Sequence, residues 1–162
     1  MSVTLRTMTP EEFEVFYQWS MERHAEELME ENRLSAREAT EAAAKELAQT
    51  LPQGYLTENH CFFTIRESDT EESAGIIWTI HEETDGKRQS FLCDFAIWEQ
   101  KRRRGYGAAA LSLLERREKD AGCEESVLFV ADRNLAATAL YKKCGYGVLR
   151  PSGCGNYMIK KL

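Results

Sequence analysis

The sequence predicts an α/β protein in which a central, mixed and twisted β-sheet is flanked by helices on both faces. Three observations support this prediction. Short stretches of alternating or continuous apolar residues indicate strands, amphipathic stretches between them indicate helices, and turn residues separate the two. The predicted order of elements is βααβββαβαββ. We expect a single domain over residues 1–162, because this length is sufficient for one hydrophobic core.

Two capping boxes predict a pair of helices near the N-terminus, after a short strand at residues 3–8. In each box a hydroxyl residue caps the helix and a glutamate follows three positions later. Thr9 and Glu12 begin a helix that should end near residue 32, and Ser35 and Glu38 begin one that should end near residue 51. Both helices are rich in glutamate.

Three strands should follow, at residues 61–67, 75–82 and 91–98. Asp85 and Gly86 predict a hairpin turn before the last of them. That last strand is an apolar run interrupted by Asp94, which is typical of a central strand covered on both faces. An acid at such a position is a candidate functional residue.

The C-terminal part should contain a buried strand at residues 126–131, a helix at residues 135–144 and a terminal hairpin. The two hairpin strands are predicted at residues 146–149 and 157–161, and the turn residues between them predict a loop over 151–156.

The most informative stretch follows the central strand. Four basic residues at positions 101–104 precede Gly105 and Gly107, which begin an amphipathic helix. Glycines let backbone N–H groups approach a ligand closely, and a helix N-terminus favours an anion. The pattern therefore predicts a phosphate-binding turn. The alternative is a helix entry that needs small residues, with the arginines simply solvated.

Composition excludes several classes of protein. The net charge of −6 argues against general nucleic-acid binding, and no apolar run is long enough to span a membrane. The N-terminus has no signal-peptide pattern, so we expect a cytoplasmic protein. Five cysteines without a Cys-x-x-Cys pair, and three scattered histidines, predict reduced thiols and no metal site.

Two motifs resemble those of the GNAT superfamily of N-acetyltransferases. Residues 102–107, RRRGYG, match its Arg/Gln-x-x-Gly-x-Gly/Ala motif. Residues 134–146, NLAATALYKKCGY, are similar to its Asn-x-x-Ala-x-x-Leu-Tyr-x-x-x-Gly-Phe/Tyr segment. The resemblance covers residues 91–149 closely and residues 1–90 in element order alone.

The resemblance implies that acetyl-CoA is the cosubstrate. It also implies that the central strand bulges near residues 96–98 and splays from strand 126–131, exposing peptide groups that bind the pantetheine arm. The implied cofactor-binding residues lie on that strand, on the phosphate turn and on the last helix: Ala96, Ile97, Trp98, Arg102, Arg103, Arg104, Gly105, Tyr106, Gly107, Ala108, Asn134, Ala137 and Tyr141.

Tyr141 matches the family's general acid, and a phenol with a reference pKa of about 10 is a suitable proton donor to a thiolate. Each residue has an alternative interpretation. Tyr141 would then be an ordinary residue of an amphipathic helix, and Asn134 would be a helix N-cap without a role in binding. Asp94 matches the acid of a Glu-Asp pair in many members, in which this chain has Cys93 instead of the glutamate. Asp94 is therefore expected to act as base or to orient the ammonium group.

The sequence thus predicts an N-acetyltransferase that moves an acetyl group to a primary amine by direct attack in a ternary complex. Residues 11–48 contain eleven glutamates against four basic residues, a net charge of −7, which favours a cationic acceptor. In GNAT-like folds these helices lie beside the acceptor entrance.

The acceptor class stays open between a small molecule and a peptide, with no nucleic acid or membrane as partner, and a homodimer stays open because dimers are frequent among relatives. The alternative function is an acetyl-CoA-binding regulatory module without transfer activity. A nucleic-acid patch at residues 101–104 is weaker, because no aromatic residues flank it in the manner of such sites.

Overall fold

The computed structural model describes residues 2–162, so Met1 of the expected domain lies outside the described residues. Its elements follow the predicted order βααβββαβαββ. They are β1 Val3–Thr7, α1 Pro10–Asn32, α2 Ala36–Thr50, β2 His60–Glu67, β3 Ser73–Thr84, β4 Lys87–Ile97, α3 Tyr106–Asp120, β5 Glu125–Ala131, α4 Leu135–Lys143, β6 Gly147–Ser152 and β7 Gly155–Lys161.

The seven strands form one mixed sheet in the order β1-β2-β3-β4-β5-β7-β6. Strands β1 to β4 form an antiparallel meander, and β4 and β5 are the parallel pair. The predicted fold class is therefore confirmed. Between residues 2 and 162, no helix combines the length and the apolar character needed to cross a bilayer.

The chain divides into two units, residues 8–58 and the remainder, so the expectation of one domain over residues 1–162 stays a prediction. The first unit contains α1 and α2. Both capping boxes form as expected: the Glu12 N–H donates to Thr9 Oγ1 over 3.1 Å, and the Glu38 N–H donates to Ser35 Oγ over 3.2 Å. The two helices pack through small side chains, with Ala39 fully buried.

The second unit contains the sheet, α3 and α4. Its core brings together one side of the sheet and the apolar stripe of α3, where Ala110, Leu111 and Leu114 are almost completely buried. Ile77 of β3 and Leu128 of β5 are similarly buried in the same cluster. Because α3 is fixed along its length by this packing, the position of its N-terminus is set by the sheet.

Of the two predicted hairpins, one forms as expected and the other has a shorter turn. Asp85 and Gly86 have φ of 51° and 77° and form the expected tight turn. The predicted loop at residues 151–156 is wrong in length, because β6 continues to Ser152 and pairs with β7, leaving a two-residue turn. Pro151 is tolerated there because β6 is an edge strand, where a missing N–H costs no ladder bond.

Candidate active site

The parallel strands β4 and β5 separate halfway along their length. Their pairing runs from Gln89 and Glu125 to Leu92 and Leu128 and then stops, although both strands continue. Residues 93–97 of β4 and 129–131 of β5 consequently face each other without a shared ladder. We call this space the strand opening. The expected splaying of these strands is present.

A β-bulge starts the opening, earlier in the strand than residues 96–98, where it was expected. Leu92 pairs with Thr79 and Asp94 pairs with Trp78, so Cys93 is an extra residue on β4. One inserted residue reverses the alternation of a strand. Leu92 therefore packs in the core with α3, while Asp94 lies on the opposite face of the sheet, beside Trp78.

The end of β4 crosses closely over Gly75 of β3. A Cβ atom on Gly75 would lie 2.1 Å from the carbonyl oxygen of Ala96. The Trp98 N–H donates to the Ala74 carbonyl over 2.9 Å, and the Trp98 carbonyl accepts from the Lys101 N–H. Both main-chain groups of Trp98 thus have partners within the protein, contrary to the expectation that they are exposed for a ligand. By strand alternation, the Ile97 N–H points to the other edge, towards the opening.

The N-terminus of α3 has no side-chain cap. Gly105 is the N-cap, with φ of 79°, and its carbonyl accepts the first helical hydrogen bond, from Ala109, over 3.2 Å. The N–H groups of Gly107 and Ala108 precede that bond and have no intrahelical acceptor. Arg103 is also left-handed, with φ of 63°. Such a turn directs successive N–H groups into a concave anion site.

Gly107 is needed for packing inside the protein. A Cβ atom there would lie 3.1 Å from the side chain of Leu140 in α4 and 3.9 Å from the ring of Phe95 in β4. The second glycine of the motif therefore allows α3 to approach α4 at the strand opening. A larger residue would disturb this contact as well as any ligand.

The side chains of the basic segment are largely engaged within the protein. Lys101 Nζ lies 2.5 Å from a carboxylate oxygen of Glu67. Arg102 Nε donates to the Ile97 carbonyl over 2.9 Å, and Arg104 donates to a main-chain carbonyl of the same loop. The side chains of Lys101, Arg102 and Arg104 thus shape the loop. The loop backbone and the exposed side chain of Arg103 are what remain to meet a phosphate.

The Tyr106 side chain is also turned inward. It is 1% exposed, and its hydroxyl donates to Glu67 Oε2 over 2.5 Å.

Helix α4 brings Tyr141 to the strand opening. Tyr141 is 8% exposed, and its ring centroid lies 6.4 Å from that of Phe95 and 5.7 Å from that of Tyr146. At the start of the helix, Asn134 Oδ1 accepts from the Ala137 N–H over 3.2 Å. The N-cap role considered for Asn134 is therefore present.

Cys93 and Asp94 are neighbours on β4 and carry a thiol and an acid. Asp94 is 8% exposed and lies across from Trp78. Burial, followed by the negative charge of Asp94, raises the pKa of the Cys93 thiol to about 12. Cys93 is therefore a neutral group at the position where many GNAT members carry a glutamate, and it does not replace that acid as a base.

Sequence reasoning missed a histidine on the same face as Asp94. The Trp78 indole N–H donates to His60 Nδ1 over 2.9 Å, and Phe62 stacks on His60. Burial lowers the pKa of His60, so its ring is neutral with the proton on Nε2. The alternation of His60 and Phe62 along β2 was the available signal.

A second missed cluster lies near the C-terminal end of α3. His81, Glu118 and Cys123 place one potential ligand atom each within 4.8 Å of one another, although the sequence had suggested scattered histidines. Arg88 donates to His81 Nδ1 over 3.0 Å, and His81 Nε2 lies 2.7 Å from Glu118. Because arginine is a donor only, Nε2 carries the imidazole proton and binds the carboxylate. Both ring nitrogens of His81 thus have hydrogen-bonding partners in Arg88 and Glu118 without a metal ion.

An opening between two parallel strands, beside a helix N-terminus without a side-chain cap, defines a site for a long ligand that ends in phosphates. Together with the fold, it is the arrangement of an acyltransferase that uses a coenzyme A thioester. The sequence profile of the Acetyltransferase (GNAT) family matches residues 13–146, and the chain belongs to this family.

Individual relatives agree with this assignment. The chain is 30% identical to the uncharacterized N-acetyltransferase YdgE of Bacillus subtilis over 91% of this chain and 94% of the relative. The crystal structure of the putative acetyltransferase YycN of Bacillus subtilis has a TM-score of 0.86 at 23% identity, covering 94% of this chain and 96% of that one. The PaiA N-acetyltransferase of Thermoplasma acidophilum, solved in complex with coenzyme A, has a TM-score of 0.69 at 19% identity, with both chains fully covered.

The protein is thus an acyltransferase, and acetyl-CoA is its cosubstrate. The described residues fit this molecule. The strand opening offers main-chain groups to an extended arm, and the first turn of α3 offers N–H groups to phosphates.

Proposed function

We propose that the protein transfers the acetyl group of acetyl-CoA to a cationic primary amine, by direct attack of the amine in a ternary complex. The separation of β4 from β5 after Leu92 and Leu128 is the observation that carries the proposal. It provides an extended slot that leads from the α3 N-terminus to the side of Tyr141.

The donor is held by backbone groups. The amides at the start of α3 bind its diphosphate, and the edge of β4 binds its pantetheine arm as an added strand. The Ile97 N–H, directed towards the opening, is placed to stabilise the negative charge that develops on the thioester oxygen. Donor binding by backbone groups requires no side chain. This agrees with the contacts that Lys101, Arg102 and Arg104 make within the protein.

Tyr141 is proposed as the general acid. Its ring lies next to Phe95, the second residue after the bulge, and is almost completely buried. The proposed role requires that its hydroxyl reach the opening. A phenol that gives its proton to the departing thiolate avoids the release of a free thiolate anion.

The acceptor is proposed to be cationic for two reasons. The unit formed by α1 and α2 carries a net charge of −7 over residues 11–48, from eleven glutamates and four basic residues. Asp94 adds a carboxylate on β4 itself, on the opposite face from Leu92. Negative charge on a protein raises the local concentration of ammonium substrates, and salt weakens that effect. Asp94 is the group proposed to orient the ammonium or accept its proton.

An amine panel tests the proposal by following thiol release from acetyl-CoA. We expect kcat/KM to be highest for cationic amines, to fall with added salt and to fall in Asp94→Asn. Tyr141→Phe should retain coenzyme A binding and lose turnover by about 10² or more. A preference for acidic amines, or cationic rates indifferent to salt and to Asp94→Asn, would refute the cationic acceptor.

The regulatory alternative gives a different result in the same assay. A module of that kind would bind acetyl-CoA and transfer no acetyl group to any amine of the panel. Unchanged turnover in Tyr141→Phe, with chemistry as the slow step, would remove Tyr141 from the mechanism while leaving the transfer activity in place.

A further inference from the structure

Glu67, the buried acid that Lys101 and Tyr106 contact, has no role in the chemistry proposed so far. It is the last residue of β2 and is 3% exposed. The turn that follows holds its backbone at both ends: the Glu67 N–H donates to the Glu72 carbonyl over 2.9 Å, and the Glu67 carbonyl accepts from the Glu71 N–H over 3.0 Å. These two bonds hold the backbone of Glu67 in place, so its side chain extends from a fixed position at the end of β2.

Its carboxylate collects four donors. One oxygen lies 2.5 Å from Lys101 Nζ and accepts from the Thr70 hydroxyl over 3.2 Å. The other accepts from the Tyr106 hydroxyl over 2.5 Å and lies 3.5 Å from an Arg104 nitrogen. Three of these donors belong to the loop that leads into α3, and the fourth belongs to the turn after β2.

The contacts attach both ends of the loop to one point. Lys101 stands at its beginning, and Tyr106 is the first residue of α3, with the left-handed Arg103 and Gly105 between them. The hydrogen bond from Lys101, followed by that from Tyr106, lowers the pKa of Glu67 to about 2. The carboxylate is therefore ionised throughout the physiological range.

A negative charge so close to a phosphate site would ordinarily repel the ligand. Here the ammonium and guanidinium groups that touch Glu67 offset its charge. The contacts with Glu67 therefore hold the loop rigidly without adding net charge. Such rigidity matters because the backbone N–H groups of the loop must point at one place to bind an anion.

We propose that Glu67 is the positioning residue for the diphosphate of acetyl-CoA, because it fixes the loop at residues 101–106 and the first turn of α3 against the end of β2. The inference rests on the proposed function in one respect, that the phosphates are bound at the N-terminus of α3. Glu67 itself touches neither the phosphates nor the reacting atoms.

The test compares a donor that has the diphosphate with one that lacks it. Dissociation constants for coenzyme A are measured by calorimetry in the parent, Glu67→Gln and Tyr106→Phe. Steady-state rates are measured with acetyl-CoA and with S-acetylpantetheine, which ends before the diphosphate. Glu72→Gln is the matched control, because Glu72 also binds Lys101, over 2.7 Å, but has an exposed side chain.

We expect Glu67→Gln to weaken coenzyme A binding about tenfold or more, as for the loss of charge-assisted hydrogen bonds, and Tyr106→Phe to weaken it less. KM for acetyl-CoA should rise while kcat at saturation is kept. Rates with S-acetylpantetheine should be unchanged, and Glu72→Gln should behave like the parent. If Glu67→Gln lowers the rates with both donors equally, or binds coenzyme A like Glu72→Gln, the positioning role is refuted.

Tyr106→Phe keeps the test decisive if Glu67→Gln fails to fold, since it removes one hydroxyl from the same contact. Parent-like coenzyme A binding in Tyr106→Phe would then count against the proposal. A parent protein whose coenzyme A binding is weakened by Glu67→Gln but that transfers no acetyl group would refute the proposed function and leave this inference standing, because the calorimetry needs no turnover.

Discussion

The N-termini of the four helices are built in two different ways. Helices α1 and α2 carry complete capping boxes, and Asn134 caps α4 through the Ala137 N–H. Helix α3 begins at a left-handed glycine with no side-chain hydrogen bond. Its first turn contains no acid, whereas Glu11 and Glu12 lie in the first turn of α1.

The difference separates helix ends that stabilise the fold from one that is left available to a ligand. A capping side chain satisfies the N–H groups of the first turn, and acids there complement the helix dipole. A helix that keeps those N–H groups unsatisfied gives up this stabilisation in the absence of a ligand. In α3 the missing cap coincides with the proposed phosphate-binding turn, where an anionic ligand would take the place of the cap.

Giving α3 the acid of a capping box should have the largest effect. Ala108 is at the position that Glu12 holds in α1 and Glu38 holds in α2. Two like charges about 4 Å apart repel by about 4 kcal/mol at the effective dielectric of a protein surface. We expect Ala108→Glu to weaken acetyl-CoA binding about 100-fold or more without loss of thermal stability, measured by calorimetry and by thermal unfolding.

The matched control is Ala108→Gln, which has a similar size and no charge. Equal losses of binding in the two variants would show that bulk, rather than charge, is what the site rejects.

Removing a cap from α1 should have the opposite outcome. Thr9→Ala deletes the side-chain acceptor of the Glu12 N–H, and we expect it to lower the free energy of unfolding by about 1 kcal/mol while leaving coenzyme A affinity unchanged. Urea denaturation gives the first quantity and calorimetry the second. A clear loss of affinity would contradict the division between structural and ligand-binding helix ends.

The smallest effect is expected at Asn134. This residue tests whether one side chain can both cap a helix and contact the cofactor. Asn134→Ser retains an acceptor for the Ala137 N–H and should keep the stability of the parent. If the amide also contacts the cofactor arm, KM for acetyl-CoA should rise a few-fold, and we expect this result. Parent values for both stability and KM would leave Asn134 as a cap alone.

The features that were predicted correctly are determined by residues close together in the sequence. The capping boxes, the Asp85-Gly86 turn and the glycine-started helix each depend on a few consecutive positions. The missed features join distant parts of the chain: Tyr106 meets Glu67 across 39 positions, and His81 meets Glu118 across 37. No local pattern specifies such a pair.

The bulge at Cys93 was misplaced for a related reason. An apolar run such as residues 91–98 contains no alternation from which a register could be read, and the extra residue becomes visible only when β3 is laid beside β4. The face on which Asp94 lies depends on that register, so the surroundings of Asp94 could not be predicted from the sequence. Its functional role stays a prediction.

The separation of β4 and β5 also affects how the protein exists without its cosubstrate. Beyond Leu92 and Leu128 the two strands no longer bond to each other. The Ile97 carbonyl accepts from Arg102, and polar groups on these strand edges without such a partner need water or a ligand. In the proposed binding mode, acetyl-CoA replaces that water by an added strand at the centre of the sheet. A ligand that binds the native state alone adds about 2.7 kcal/mol to its stability at 100 times its dissociation constant. The free energy of unfolding of this enzyme is therefore expected to rise with the concentration of its acyl donor.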